Sequence, residues 1–263
     1  MSLYWKSGLI GVIIGALMAA GVFLLFSSGS DSEPDLSEPE PRGTISIIID
    51  DFGFSLNATV QGYLEMSPDI TCAIIPGQLY TESVSRLADS LGFEVLVHMP
   101  LESYGESYGA HESYLLSSRL NQEAVSQRIN RAFHEMPMAV GMNNHQGSKA
   151  TEDLQLMKSI ARTLQGSNRC FVDSYTSPAS CAFMTMRQFG VPTEVRQVFL
   201  DHEPTEIYVR AQLDSLIVLS HRMPVAIGIG HATRDITLQV LQREIPRLKA
   251  LGYRFLPISQ VTR

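Results

Sequence analysis

Residues 44–55, TISIIIDDFGFS, read as a buried strand that ends in chemistry. Thr44 to Asp50 is an apolar, β-branched run, the pattern of a parallel strand covered on both faces. Two adjacent acids at its end, Asp50 and Asp51, are poor strand material. Neighbours in an extended chain point to opposite sides, so a turn is needed to bring both carboxylates to one place. The competing reading gives Asp51 or Ser55 the ordinary task of capping the following helix.

Seven further strand-like runs follow: Ile70–Pro76, Phe93–His98, Ala139–Asn143, Cys170–Asp173, Val195–Leu200, Val225–Gly230 and Tyr253–Ile258. Between them apolar residues recur at helical spacing, as in Val84/Leu87/Ala88/Leu91, Val125/Ile129/Ala132/Phe133/Met136, Leu154/Met157/Ile160/Ala161/Leu164 and Leu241/Ile245/Leu248/Leu251. Gly92, Gly190 and Gly252 stand where helices should stop, and Thr151 where one should start. This alternation implies a parallel sheet. Strand after strand ends in Asp, Asn or His: Asp50–Asp51, His98, Asn144–His145, Asp173, Asp201–His202 and His231. A closed barrel would point all these ends to one mouth, whereas an open sheet would gather ligands at a switch point. The expectation from the strand ends is therefore a closed parallel α/β barrel, with eight candidate strands, over residues 44–263.

The N-terminus is a separate object. Gly8 to Phe26 carries no charged or strongly polar side chain and, at about 1.5 Å per residue, nearly crosses a bilayer core. Lys6 precedes it, and Asp31, Glu33, Asp35, Glu38 and Glu40 follow. Positive charge stays inside, so residues 1–27 are expected to be an inner-membrane signal anchor and the domain periplasmic. The alternative is cleavage and release into the periplasm. Residues 28–43, rich in Ser, Pro and acids, are expected to be a disordered linker. The net charge is −7, and no Lys/Arg-dense stretch exists, which argues against a nucleic-acid partner.

Carboxylates and imidazoles dominate the candidate chemistry. His98 lies in VLVHMPLE (95–102), with Glu102 four residues on to orient its ring. His145 lies in GMNNHQGSKAT (141–151), a polar turn with Asn143, Asn144, Gln146 and Ser148 around it. His231 ends VAIGIGHA (225–232), where Gly228 and Gly230 permit close approach to the backbone. Each His alone reads equally as a core or loop residue. Together with Asp51 they suit a divalent metal, zinc first, at a site without thiolates. The chain's cysteines, Cys72, Cys170 and Cys181, form no CxxC pair, and whether Cys170 pairs with Cys181 stays open. Residues 102–118 repeat Glu-Ser-Tyr three times; Tyr104, Tyr108 and Tyr114 could stack on sugar rings or belong to a low-complexity insertion.

The segments IIIDDFG, VHMPLE, NNHQGS, FVDS, FLDHE and IGIGHA, in this order, resemble the divergent polysaccharide deacetylase family, remote relatives of NodB-type carbohydrate esterases. The resemblance covers the chain from Gly43 onward. It implies an irregular barrel of the NodB/glycoside hydrolase–deacetylase type. It also implies metal-dependent hydrolysis of N-acetyl groups on an envelope polysaccharide such as peptidoglycan. Asp50 would be the base, Asp51 a metal ligand and His231 the general acid. His145 matches the first His of the family's His-x-x-x-His motif, but Lys149 stands where the second belongs, so His98 becomes the candidate replacement. Asp173 and Asp201 would tune His231 or bind sugar hydroxyls, and Asn144 and Glu102 would serve substrate or tuning. The lost motif leaves two rivals: a catalytically inactive glycan-binding or regulatory module, and a structural partner of a cell-wall protein.

Overall fold

The computed structural model of the protein describes residues 40–105 and 112–262. The expected anchor, most of the expected linker, Tyr108 and His111 lie outside the described residues. Among the described residues no helix is long and apolar enough to cross a membrane. Pro41–Arg263 forms one compact unit.

Among the described residues nine strands make one sheet, and every pairing between them is parallel. They are β1 (Gly43–Phe52), β2 (Ile70–Ile74), β3 (Glu94–Leu101), β4 (Gly141–Gln146), β5 (Cys170–Asp173), β6 (Thr193–Val195), β7 (Val198–Phe199), β8 (Ala226–His231) and β9 (Tyr253–Phe255). The order across the sheet is β6-β5-β4-β3-β2-β1-β8-β7, with β9 pairing the start of β1 off this path. Helices cover the outside: α1 (Ala58–Leu64), α2 (Thr81–Ser90), α3 (Gln122–Glu135), α4 (Leu154–Leu164), α5 (Ala182–Gln188), α6 (Glu206–Ser220) and α7 (Asp235–Ala250).

The closed ladder expected from the strand ends is replaced by a curled sheet. The run Val195–Leu200 is not one strand. Its segment bends, so that β6 pairs with β5 while β7, two residues later, pairs with β8. The sheet thus curls until its two ends are consecutive pieces of one stretch of chain.

Strand alternation sorts the side chains into two cores. Ile45, Ile47, Ile49, Val95, Val97, Met99, Met142 and Phe171 pack under the helices. Ile48, Ala73, Leu96, Val172, Ile227 and Ile229 fill a smaller cluster on the concave side. Residues of the same parity one step further along therefore face the concave side too: Asp50 above Ile48, His98 above Leu96 and His231 above Ile229. Gly228 and Gly230 belong to the opposite parity. A Cβ on Gly228 would meet Leu216 Cδ2 at 2.9 Å, and one on Gly230 would meet Thr237 Cγ2 at 3.1 Å. The close approach read from the sequence is therefore made by residues of the surrounding layer.

Two capping expectations change. The start of α1 is capped by Asn57, whose Oδ1 accepts from the Val60 N–H at 3.0 Å, so neither Asp51 nor Ser55 serves there. Asp153, not Thr151, caps α4: its Oδ1 accepts from the Gln155 and Leu156 N–H groups at 2.9 and 3.1 Å. Thr151 lies in a preceding 3₁₀ turn and donates to the Gly147 carbonyl. Asp153→Ala should lower stability by about 1 kcal/mol, read as a lower denaturant midpoint with an unchanged slope.

Candidate metal centre

β1 does not end by simple alternation. Asp51 has φ +65°, and the β1–β2 register shifts between Ile49 and Phe52. This left-handed residue turns the second carboxylate back toward the concave side, which alternation alone would deny it. Both acids, with His98, His145, Gln146 and His231, line a cleft of about 300 Å³ at the strand ends. A larger hollow of about 440 Å³ lies on the helical exterior around Leu64, Met66 and Phe93, but no imidazole lines it.

Asp51, His98 and His145 converge. Asp51 Oδ1 lies 3.4 Å from His98 Nε2 and 3.1 Å from His145 Nδ1, and the two ring nitrogens are 3.1 Å apart. Three ligands of a tetrahedral zinc at about 2.0–2.1 Å would be separated by roughly 3.3–3.4 Å. Asp51 Oδ1 is buried and is in hydrogen-bond geometry with no group, although both rings stand at ion-pair distance. A buried, unpartnered carboxylate oxygen facing two imidazole nitrogens fits a divalent cation.

The surrounding contacts prepare these atoms. Asn143 Nδ2 donates to Asp50 Oδ1 at 2.8 Å, so its Oδ1 is left to accept from His98 Nδ1, also at 2.8 Å. With the proton held on Nδ1, the His98 Nε2 lone pair is free for a metal. Burial is the largest influence on Asp50 and raises its pKa. Burial acts upward on Asp51 as well, but His145 and His98 outweigh it and hold that carboxyl far below the usual range. Burial works to lower the pKa of His98, and the two neighbouring carboxylates outweigh it and raise it, the mark of a site that attracts positive charge.

His231 pairs in register with Asp50 across β1 and β8. Its Nδ1 lies 2.7 Å from Asp201 Oδ1, while Asp201 Oδ2 accepts from the His231 N–H at 2.8 Å and the Thr237 hydroxyl at 2.9 Å. Burial opposes protonation of this ring, but Asp201 prevails and lifts its pKa to about 9. Phe199 packs against the imidazole with centroids 5.0 Å apart.

Other candidates lie elsewhere. Glu102 does not orient His98: it accepts from Lys149 Nζ at 2.7 Å and from the Ser118 N–H and hydroxyl. Asp173 shares the parity of Phe171, which packs under the helices. It binds the Ser180 hydroxyl and the Tyr175 N–H rather than His231. Asn144 lines the cleft, but its amide is spent on the Ser174 N–H and the Gln146 carbonyl. Tyr114 is buried and donates to Glu135, so it offers no ring to a sugar; Tyr104 is exposed and donates to Glu152. Cys72, Cys170 and Cys181 are all free thiols. Asn143 is the residue whose role the sequence reading missed. Its signal was parity with His145 and its place opposite His98 in the β3–β4 register.

A curled parallel sheet with acids and imidazoles gathered at its strand ends is the architecture of the polysaccharide deacetylase class. Residues 47–262 match the model of the divergent polysaccharide deacetylases, and the chain belongs to that family. It is 32% identical over 213 residues to the uncharacterized protein YibQ of Escherichia coli, covering 81% of this chain and 66% of that protein, just under two thirds of its length. An uncharacterized Haemophilus influenzae protein is 33% identical over 211 residues, covering 79% of this chain and 72% of the relative. Among solved structures, an uncharacterized Agrobacterium tumefaciens protein superposes with a TM-score of 0.79 at 19% identity, covering 85% of this chain and 91% of the other. A mutant of the peptidoglycan deacetylase PdaC from Bacillus subtilis does so at 0.51 and 12%, with 85% and 91% covered.

Zinc added to the purified protein should bind near-stoichiometrically, and His98→Ala and His145→Ala should each abolish this, as read by elemental analysis. Glu102→Gln should leave metal content unchanged, whereas Asn143→Ala should weaken affinity about 10–100-fold in competition with a chelator.

Proposed function

We propose that this chain is a metal-dependent hydrolase that removes N-acetyl groups from a polysaccharide of the cell envelope, with peptidoglycan the glycan at hand for a membrane-tethered domain. The observation that carries this reading is the triangle of Asp51 Oδ1, His98 Nε2 and His145 Nδ1, with edges of 3.1–3.4 Å. Its support comes from the family and from the acid and base groups beside it. A bound divalent cation, zinc first, would supply Lewis acidity, activating water and polarising the amide carbonyl.

The chain's own residues do the rest. Asp50, fixed by Asn143 and raised in pKa by burial, stands beside the cluster with Oδ2 3.6 Å from His98 Nε2. It takes the proton of the attacking water. His231 enters the reaction protonated, as its pKa of about 9 requires near neutrality, and gives its proton to the departing amine. Asp201 holds the ring through Nδ1 and stabilises the imidazolium without touching substrate. The apolar stretch ahead of the domain tethers it to the inner membrane on the periplasmic side.

The test is acetate release, with a free amine appearing on the sugar, from an N-acetylated chitooligosaccharide by the zinc-loaded protein. Asp50→Asn should reduce turnover by about 10²–10⁴-fold and retain the metal; full turnover would remove Asp50 from the base role. A parent that holds metal and glycan yet releases no acetate would leave the glycan-binding module in front. Because His231 must be protonated, activity should fall as pH rises through about 9. Asp201→Asn removes the influence that raises this pKa, so the fall should move to lower pH.

A further inference from the structure

The geometry points to Gln146 as the residue that makes this site select an N-acyl over an O-acyl substrate, by accepting a hydrogen bond from the substrate's amide N–H. The inference rests on the deacetylase reading and deepens it. Among the described residues, four buried side-chain oxygens lack a hydrogen-bond partner: Ser46 Oγ, Asp51 Oδ1, Gln122 Oε1 and Gln146 Oε1. Two of these, on Asp51 and Gln146, belong to residues lining the one cleft that holds the imidazoles. Burial without a partner is costly for such an atom.

Asp51 and Gln146 also share a backbone device. Asp51 sits in the register shift near the end of β1 and Gln146 is the last residue of β4, and each is left-handed without being glycine, at φ +65° and +56°. Such a conformation is unfavourable for a residue with a Cβ, so the surrounding structure must enforce it. At Gln146 the enforcement is visible. Its carbonyl accepts from Asn144 Nδ2 at 2.7 Å and from the Thr176 hydroxyl at 2.9 Å. Gly147 follows at φ +91°, where a Cβ would press on Leu101 Cβ at 2.8 Å. By strand alternation Gln146 should face the helices, as Met142 of the same parity does. The turn brings its side chain to the cleft instead, beside His145.

The oxygen of Asp51 faces two imidazole nitrogens, at the place proposed for a cation. That of Gln146 is neutral and asks for a donor. In an N-acetylated sugar the nitrogen next to the attacked carbon carries one N–H, whereas the bridging oxygen of an O-acetyl ester carries none. An ester would leave Oε1 as it is, and an amide would satisfy it. Sites built to hydrogen-bond an N–H discriminate strongly against analogues that lack it.

The experiment compares kcat/KM for N-acetylated chitotriose and O-acetylated xylotriose in the zinc-loaded parent and in Gln146→Met, which keeps the length and removes the acceptor. The expected result is a fall of about tenfold or more on the N-acetyl substrate, little change on the O-acetyl one, and unchanged metal content. Equal falls on both substrates, or no fall on either, would overturn the proposal. So would loss of zinc in the variant, which would make Gln146 a metal ligand. If the parent turns over neither sugar, the deacetylase reading fails separately, and calorimetric binding of the same two sugars decides about Gln146. Weaker binding of the N-acetyl sugar alone in the variant sustains it, and equal binding by parent and variant, or no binding by the parent, overturns it.

Discussion

One buried amide holds the mouth of this fold together. Asn143 donates to Asp50 and accepts from His98, each at 2.8 Å, in a place where all three residues are almost wholly removed from water. A polar layer on top of an apolar interior is tolerable only if its members satisfy one another. An amide such as that of Asn143 can give to a carboxylate and take from an imidazole at once. It thereby fixes the carboxylate's orientation and the ring's tautomer, and the remaining nitrogen of His98 is aimed by default.

Much of this was legible in the strand period of two. Once Ile48, Leu96 and Ile229 are interior, Asp50, His98 and His231 follow. The same rule separates Asp173, which ends β5 on the parity of Phe171. What the period could not supply is the exception at Asp51, a left-handed turn that brings a wrongly phased residue into the site. The partners of Glu102 were hidden for another reason. Spacing along the chain suggested His98, four residues back, but the side chain reaches Lys149 of a different connection. Helix α6 escaped because its exposed face is apolar too, with Ile207 84% exposed while Val209, Leu213 and Leu216 are buried.

The lost His-x-x-x-His motif has a structural counterpart. Lys149, in the position of the second His, is drawn off into an ion pair with Glu102. His98, the candidate to stand in for that His, lies in the middle of β3, where its register opposite Asn143 and the hydrogen bond between them hold the ring. A ligand on a strand is held more rigidly than one on a connecting turn.

The bent segment that carries β6 and β7 has a consequence for how the protein meets other copies of itself. An open sheet displays two unpaired edges, and long flat edges recruit foreign strands. Here the two terminal strands are only three and two residues long. They are successive pieces of one chain, each turning away where the other begins. Such short edges give another chain little to template on, so the sheet resists edge-to-edge aggregation without a complete ring of hydrogen bonds.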